Sequence, residues 1–130
     1  MKKAFRAFCR TLLIRLQIIP VPDLLVRIVA DHPSPSNLEV GLIYVVESSG
    51  FPKWAYFRCP ADSNEVIQLS LMPNHRPRWN VLIDFLQRPT ITPSVRQLDG
   101  SYAHFWIKKG RINWCEDTGM KPLPNIKFQI

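Results

Sequence analysis

The spacing of hydrophobic positions changes along the chain, and the change marks its organisation. Between residues 4 and 19, Phe5, Phe8, Leu12, Leu16 and Ile19 recur at intervals of three and four, the signature of a helix with one apolar face. Pro20 closes the stripe, since proline cannot continue a helix, and Arg6, Arg10 and Arg15 interrupt the apolar stretch that would otherwise resemble a signal peptide. From residue 41 onward the pattern is that of strands. Gly41 to Glu47, Lys53 to Cys59 and Glu65 to Leu71 are rich in β-branched and aromatic residues, which suit a pleated, half-buried surface. Trp79, Val81, Ile83 and Phe85 alternate with Asn80, Leu82 and Asp84, a period of two. Thr90 to Thr92 is short and flanked by prolines, which predicts an edge strand.

The most specific local signal is at Lys109-Gly110, between the runs Tyr102 to Lys108 and Arg111 to Cys115. Two residues ending in glycine predict a tight hairpin. Counting outward pairs Lys108 with Arg111, Ile107 with Ile112, Trp106 with Asn113, Phe105 with Trp114 and His104 with Cys115. Paired side chains point to the same face, so His104 and Cys115 are expected as neighbours beside Tyr102, Trp106 and Asn113. Ala103, Phe105, Ile107, Ile112 and Trp114 form the more apolar face and are assigned to the core. Trp54, Trp79 and, by residue type, Trp106 are assigned to the core as well.

These elements predict an α+β, mainly β protein: a small antiparallel sheet domain with a basic N-terminal helix. The Pro/Ser-rich stretch Asp31 to Asn37 divides it into residues 1–37, helix and linker, and residues 38–130, a β-rich domain with an irregular C-terminal tail. The helix reads either as a membrane-surface or partner-binding element or as a terminal helix packed on the domain. Twelve prolines against five glycines fit short elements with stiff connections. The net charge of +7 favours acidic partners, but no nucleic-acid motif accompanies it, so nucleic acid is not the expected partner. The apolar start lacks a small-residue cleavage site, and no run reaches the length of a membrane span. Three cysteines, Cys9, Cys59 and Cys115, are a poor disulfide framework and suit a reducing, cytoplasmic setting.

A histidine facing a cysteine supports three readings. Imidazole and thiolate are zinc ligands, and Cys59 would supply a third, with Asp62 three residues beyond it. His104 could instead activate a nucleophile, either Cys115 or a hydroxyl such as Ser94. The pair could also be structural. His75, in a basic turn, and His32, before Pro33, read as solvated, and Asp84 could orient a histidine. Asp99-Gly100 can turn the chain so that Ser94 comes back toward the His104 strand.

The segments Trp54-Ala-Tyr-Phe-Arg-Cys-Pro60, Arg76-Pro-Arg-Trp-Asn-Val81, Arg88-Pro-Thr-Ile-Thr-Pro-Ser-Val95 and Ala103-His-Phe-Trp-Ile-Lys-Lys-Gly-Arg-Ile-Asn-Trp-Cys115 resemble a small bacterial domain-of-unknown-function family. Its members are encoded in operons with ubiquitin-like proteins and their activating and conjugating enzymes. The resemblance covers roughly residues 38 to 118. It implies a cysteine cluster after Cys59 and a cysteine just before His104, and hence a metal site. This chain departs from both, with Ser63 and Ser101 where thiols are expected and Ala103 before the histidine. A hydroxyl is a far poorer zinc ligand than a thiolate. No cofactor is therefore expected, and the zinc set Cys59, His104 and Cys115 stands as the alternative. What persists of the family pattern is Cys59, Ser94, His104 and Cys115. The resemblance implies a peptidase acting on a ubiquitin-like protein, with Ser94 as nucleophile and His104 as its base. It also allows a non-enzymatic adaptor. Either way the expected partners are the ubiquitin-like protein and its activating or conjugating enzyme.

Overall fold

A computed structural model of the chain describes residues 2–123; the expected C-terminal tail lies largely outside them. One helix, α1 (Lys2–Arg15), precedes eight strands: β1 (Leu25–Val29), β2 (Leu42–Ser48), β3 (Phe51–Arg58), β4 (Val66–Ser70), β5 (Asn80–Ile83), β6 (Pro89–Arg96), β7 (His104–Lys108) and β8 (Arg111–Trp114). The first four strands form one sheet in the order β1-β2-β3-β4, and the last four a second in the order β5-β6-β7-β8. The mainly-β expectation therefore holds, resolved into two sheets.

The apolar faces of both sheets meet in one core. Ile43, Val45, Ala55, Phe57, Ile67 and Leu69 come from the first sheet, and Ile91, Val95, Phe105 and Ile107 from the second. Phe57 and Phe105 close the layer edge to face, their ring centroids 6.3 Å apart, a favourable aromatic geometry.

The hairpin forms with the expected register: Phe105 pairs with Trp114, Trp106 with Asn113, Ile107 with Ile112 and Lys108 with Arg111. The backbone bond from Cys115 N to His104 O, 2.9 Å, extends it to the next pair. Lys109 and Gly110 both have positive φ, 47° and 77°, as a type I′ turn requires. Gly110 has a second reason to lack a side chain. A Cβ there would lie 2.8 Å from the carbonyl oxygen of Leu24, which belongs to the segment that binds the hairpin tip through Asp23 N and Leu24 N.

Four expectations change. Strand β1 was not foreseen. It runs parallel to β2 and carries core residue Val26, so the stretch read as helix and linker contributes to the sheet. Thr90 to Thr92 is not an edge: it belongs to β6, which lies between β5 and β7. Proline is tolerated there because the pairing is interrupted. Ile91 opposes Ile107 and Val95 opposes Phe105, so β6 advances four residues while β7 advances two. Pro93 and Ser94 fall in that bulge, where no regular ladder bond is demanded. Of the tryptophans only Trp79 is buried; Trp54 and Trp106 are half-buried, and Trp114 is 48% exposed.

Helix α1 ends earlier than its apolar spacing suggested. Gln17 takes a left-handed φ of 59° while Ile18 N bonds to Leu13 O at 3.0 Å, a C-terminal cap that turns the chain before Pro20. The loop before β2 is held down by Arg58, whose Nε donates to Leu38 O and whose Nη2 donates to Pro35 O, each at 2.7 Å.

Candidate active site

The site is assembled on β6, β7 and the turn after β8. In the antiparallel β6–β7 pair Arg96 opposes His104, so Arg96, His104 and Ser94, two residues before Arg96, share one face. The bulge at Pro93 aims Ser94. Its backbone carbonyl accepts from Trp79 Nε1 at 3.2 Å, and its hydroxyl lies 3.0 Å from His104 Nε2. The expected turn at Asp99-Gly100 is present: Tyr102 N bonds to Asp99 O and Gly100 has φ 63°. Glu65 secures it by accepting from Ser101 N at 2.7 Å and from Ser101 Oγ at 2.6 Å. The Ser101 hydroxyl, acting against some burial, holds the Glu65 carboxyl below its ordinary range.

A third member comes from a residue not singled out from the sequence. After β8 the chain turns at Glu116 to Gly119, where Thr118 N bonds to Cys115 O and Gly119 N to Tyr102 O. Thr118 Oγ1 accepts from His104 N at 3.0 Å. This turn brings Asp117 Oδ1 to 2.6 Å from His104 Nδ1. The carboxylate's other oxygen accepts from Arg96 Nη2, and the Arg96 side chain is only 6% exposed. Arg96 Nη2 is also 3.0 Å from His104 Nδ1. Both nitrogens cannot be satisfied by each other, since guanidinium only donates. The consistent assignment has Nδ1–H donating to Asp117, Arg96 donating to the same carboxylate, and Nε2 left to accept the Ser94 hydroxyl proton.

Ser94 is 3% exposed and His104 9%. Burial, and then the charge of Arg96, push the His104 imidazole below its ordinary value. A Ser–His–Asp chain with this connectivity can pass the serine proton to Nε2 while the carboxylate fixes the tautomer and steadies the imidazolium.

Cys115 is beside His104, as the register required, but faces a different neighbourhood from the one expected for a metal. The ligand atoms of His104, Cys115 and Asp117 lie within 4.8 Å of one another; Cys59 does not join them. It is buried in the core, its Sγ 3.8 Å from Ser101 Oγ. Burial raises the Cys115 thiol above its ordinary value, partly opposed by Arg96, which disfavours the thiolate a metal or a nucleophilic role would need. Asp84 does not orient a histidine. It accepts from Leu86 N and Arg88 N at 2.9 Å each and pairs with Arg88 Nε at 2.7 Å, closing the β5–β6 turn. His32 and His75, expected to be solvated, are exposed but engaged, His32 Nδ1 with Tyr56 Oη at 2.6 Å and His75 Nδ1 with Ser70 Oγ at 2.8 Å.

Residues 30–115 match the model of a family described as bacterial ubiquitination-like system serine protease (BubE). The chain belongs to this family. The match contains Ser94 and His104 and stops two residues short of Asp117. The family agrees with the resemblance read from the sequence and ties the chain to a bacterial ubiquitination-like system. No curated protein and no solved structure matches.

Proposed function

We propose that the protein is a serine peptidase that cleaves at the C-terminus of a ubiquitin-like protein, with Ser94 as nucleophile, His104 as general base and Asp117 as the group that orients it. The observation that carries this is the continuous chain from Ser94 Oγ to His104 Nε2, 3.0 Å, and from His104 Nδ1 to Asp117 Oδ1, 2.6 Å. Ser94 Oγ attacks the scissile carbonyl as its proton passes to Nε2. The tetrahedral intermediate collapses as Nε2 returns that proton to the leaving amine, leaving an acyl-enzyme on Ser94. Water, deprotonated by the same nitrogen, then releases the carboxylate and restores the serine. Arg96 donates to the other oxygen of Asp117 and holds the carboxylate in place.

The burial of Ser94 supports a narrow substrate. A nucleophile with 3% exposure is reached by an extended tail rather than by the convex face of a folded domain, and ubiquitin-like proteins are joined to their targets through such tails. The test is cleavage of the cognate ubiquitin-like fusion by wild type, Ser94→Ala, His104→Ala and Asp117→Asn. The proposal expects loss in all three variants; equal cleavage by all four proteins refutes it.

One arrangement favours a second reading, a non-enzymatic metal-binding adaptor: His104, Cys115 and Asp117 present converging ligand atoms. Elemental analysis finding one tightly held zinc per chain, with no cleavage of the cognate fusion, would decide for it.

A further inference from the structure

Helix α1 leaves its apolar stripe largely open to solvent. None of its residues is buried. At the apolar spacing Phe5 is 59% exposed, Phe8 62%, Leu12 45% and Leu16, just past the helix end, 59%. The half-buried side carries Arg6 and Arg10 among Ala7, Cys9, Leu13 and Ile14. The Arg6 guanidinium lies over the Phe85 ring, 5.1 Å from its centroid, and Arg10 Nη1 donates to Leu86 O and Gln87 Oε1, each at 3.0 Å. Beneath the helix is a cavity of about 460 Å³ that Lys3, Arg6, Arg10 and Arg27 help to line. The exposed apolar surface continues onto the body of the domain, where Phe85 is 52% exposed and meets Phe5 edge to face at 6.2 Å.

Charge selects among the surfaces that could cover this stripe. Residues 1 to 22 contain Lys2, Lys3, Arg6, Arg10 and Arg15 and no carboxylate. Lys2, Lys3 and Arg15 are exposed at the two ends of the helix, flanking the apolar side chains rather than interleaving with them. A fixed set of carboxylates on a protein would be met by cations placed among the contact residues. A fluid layer of headgroups over hydrocarbon is met by an apolar stripe bordered by long cationic side chains that reach back to the phosphates. At fourteen residues the helix is about 21 Å long, and no described helix is long and apolar enough to cross a membrane.

We propose that α1 seats this domain on an anionic lipid surface. Phe5, Phe8, Leu12 and Leu16 enter the interface, Phe85 borders it, and the terminal cations contact the lipid phosphates. The helix lies outside residues 30–115, and the proposal is independent of the chemistry at Ser94.

The experiment is co-sedimentation of the full chain with vesicles of phosphatidylcholine alone and of phosphatidylcholine mixed with phosphatidylglycerol, at low and high salt. The expected result is pelleting on the anionic vesicles, at least about tenfold weaker on the neutral ones, and lost as the Debye length falls from about 10 Å at 0.1 M salt to about 3 Å at 1 M. The combined variant Phe5→Ser, Phe8→Ser and Leu12→Ser should lose pelleting while keeping its circular dichroism spectrum and Tm, because these side chains are exposed. A second variant, Lys2→Glu with Lys3→Glu, tests the charge without touching the stripe and should lose pelleting too. Failure to pellet on anionic vesicles, equal and salt-insensitive pelleting on neutral ones, or undiminished pelleting of either variant overturns the proposal. Capture on immobilised polyglutamate without vesicle binding overturns it in favour of an acidic protein partner.

Discussion

Among the described residues two serine–histidine contacts occur, and they are not equivalent. Ser94 Oγ lies 3.0 Å from His104 Nε2 and Ser70 Oγ lies 2.8 Å from His75 Nδ1, so contact length alone would rank the second first. The difference is in what stands behind the imidazole. The far nitrogen of His104 meets Asp117, itself anchored by Arg96. His75 instead has Trp54 against its ring, centroids 5.6 Å apart, and is exposed. Ser70 also accepts from Met72 N at 3.4 Å, the pattern of a serine that shapes a turn. A hydroxyl near an imidazole is common; a hydroxyl, an imidazole in a fixed tautomer and a carboxylate behind it are what lower the barrier to attack.

The sharpest way to break the comparison is to remove each pair. Ser94→Ala or His104→Ala should reduce cleavage of a ubiquitin-like fusion by about a thousandfold or more, while Ser70→Ala and His75→Ala should stay within about threefold of wild type. Initial rates on the same substrate decide it, and equal losses at both pairs would erase the distinction. Asp117→Asn keeps the shape but lets the amide donate to Nδ1, which forces the wrong tautomer. A loss of about a hundredfold or more in kcat is expected, with KM little changed. Because the Asp117 side chain keeps 45% of its exposure, solvent partly replaces it, and the loss should be smaller than for Ser94 or His104.

The third prediction concerns pH. His104 works as a base only when neutral. Burial and Arg96 push its value below the ordinary 6.5, so activity should persist below that pH and fall only as acid protonates the imidazole. Arg96→Met removes the repelling cation, so the acidic limb of kcat/KM should move to higher pH, measured with a substrate that has no titrating group in that range. A limb that stays put or moves down would remove Arg96 from this role. The smallest effect is expected at the turn that delivers His104. Glu65→Ala removes two short bonds to Ser101 and should cost about 1–2 kcal/mol of stability, read as a drop in the denaturant midpoint. It should leave the acidic limb unchanged, because Glu65 touches neither His104 nor Asp117.

Much of this geometry follows from short-range rules that act within a few residues. Lys109-Gly110 sets a turn type, the turn sets the register, and the register puts Cys115 beside His104 with no reference to the rest of the fold. The same count does not reach Asp117. It lies two residues past Cys115 in the turn that follows β8, so the site completes itself in a polar turn and not in a strand. Strand β1 was hidden for a different reason. Leu25 to Val29 is interrupted by Arg27 and pairs parallel with a strand beyond a proline-rich loop, a non-local contact with no local signature. The bulge at Pro93 made a central strand look like an edge. Ser94 was legible as a family residue, but its aim depends on that bulge, which only the two partner strands define. Trp114 reads as core by composition and is exposed because β8 ends the second sheet.

The central claim is that Ser94, and not Ser70 or Cys115, is the activated nucleophile. Fluorophosphonate labelling of the folded protein tests it directly, because the reagent forms a phosphorus–oxygen bond with an activated serine and expels fluoride. Intact mass and peptide mapping should find one adduct, on Ser94, absent in Ser94→Ala and His104→Ala, weakened in Asp117→Asn and undiminished in Ser70→Ala and Cys115→Ser. An adduct on Ser70, or no adduct on a protein that cleaves its cognate fusion, would contradict the account.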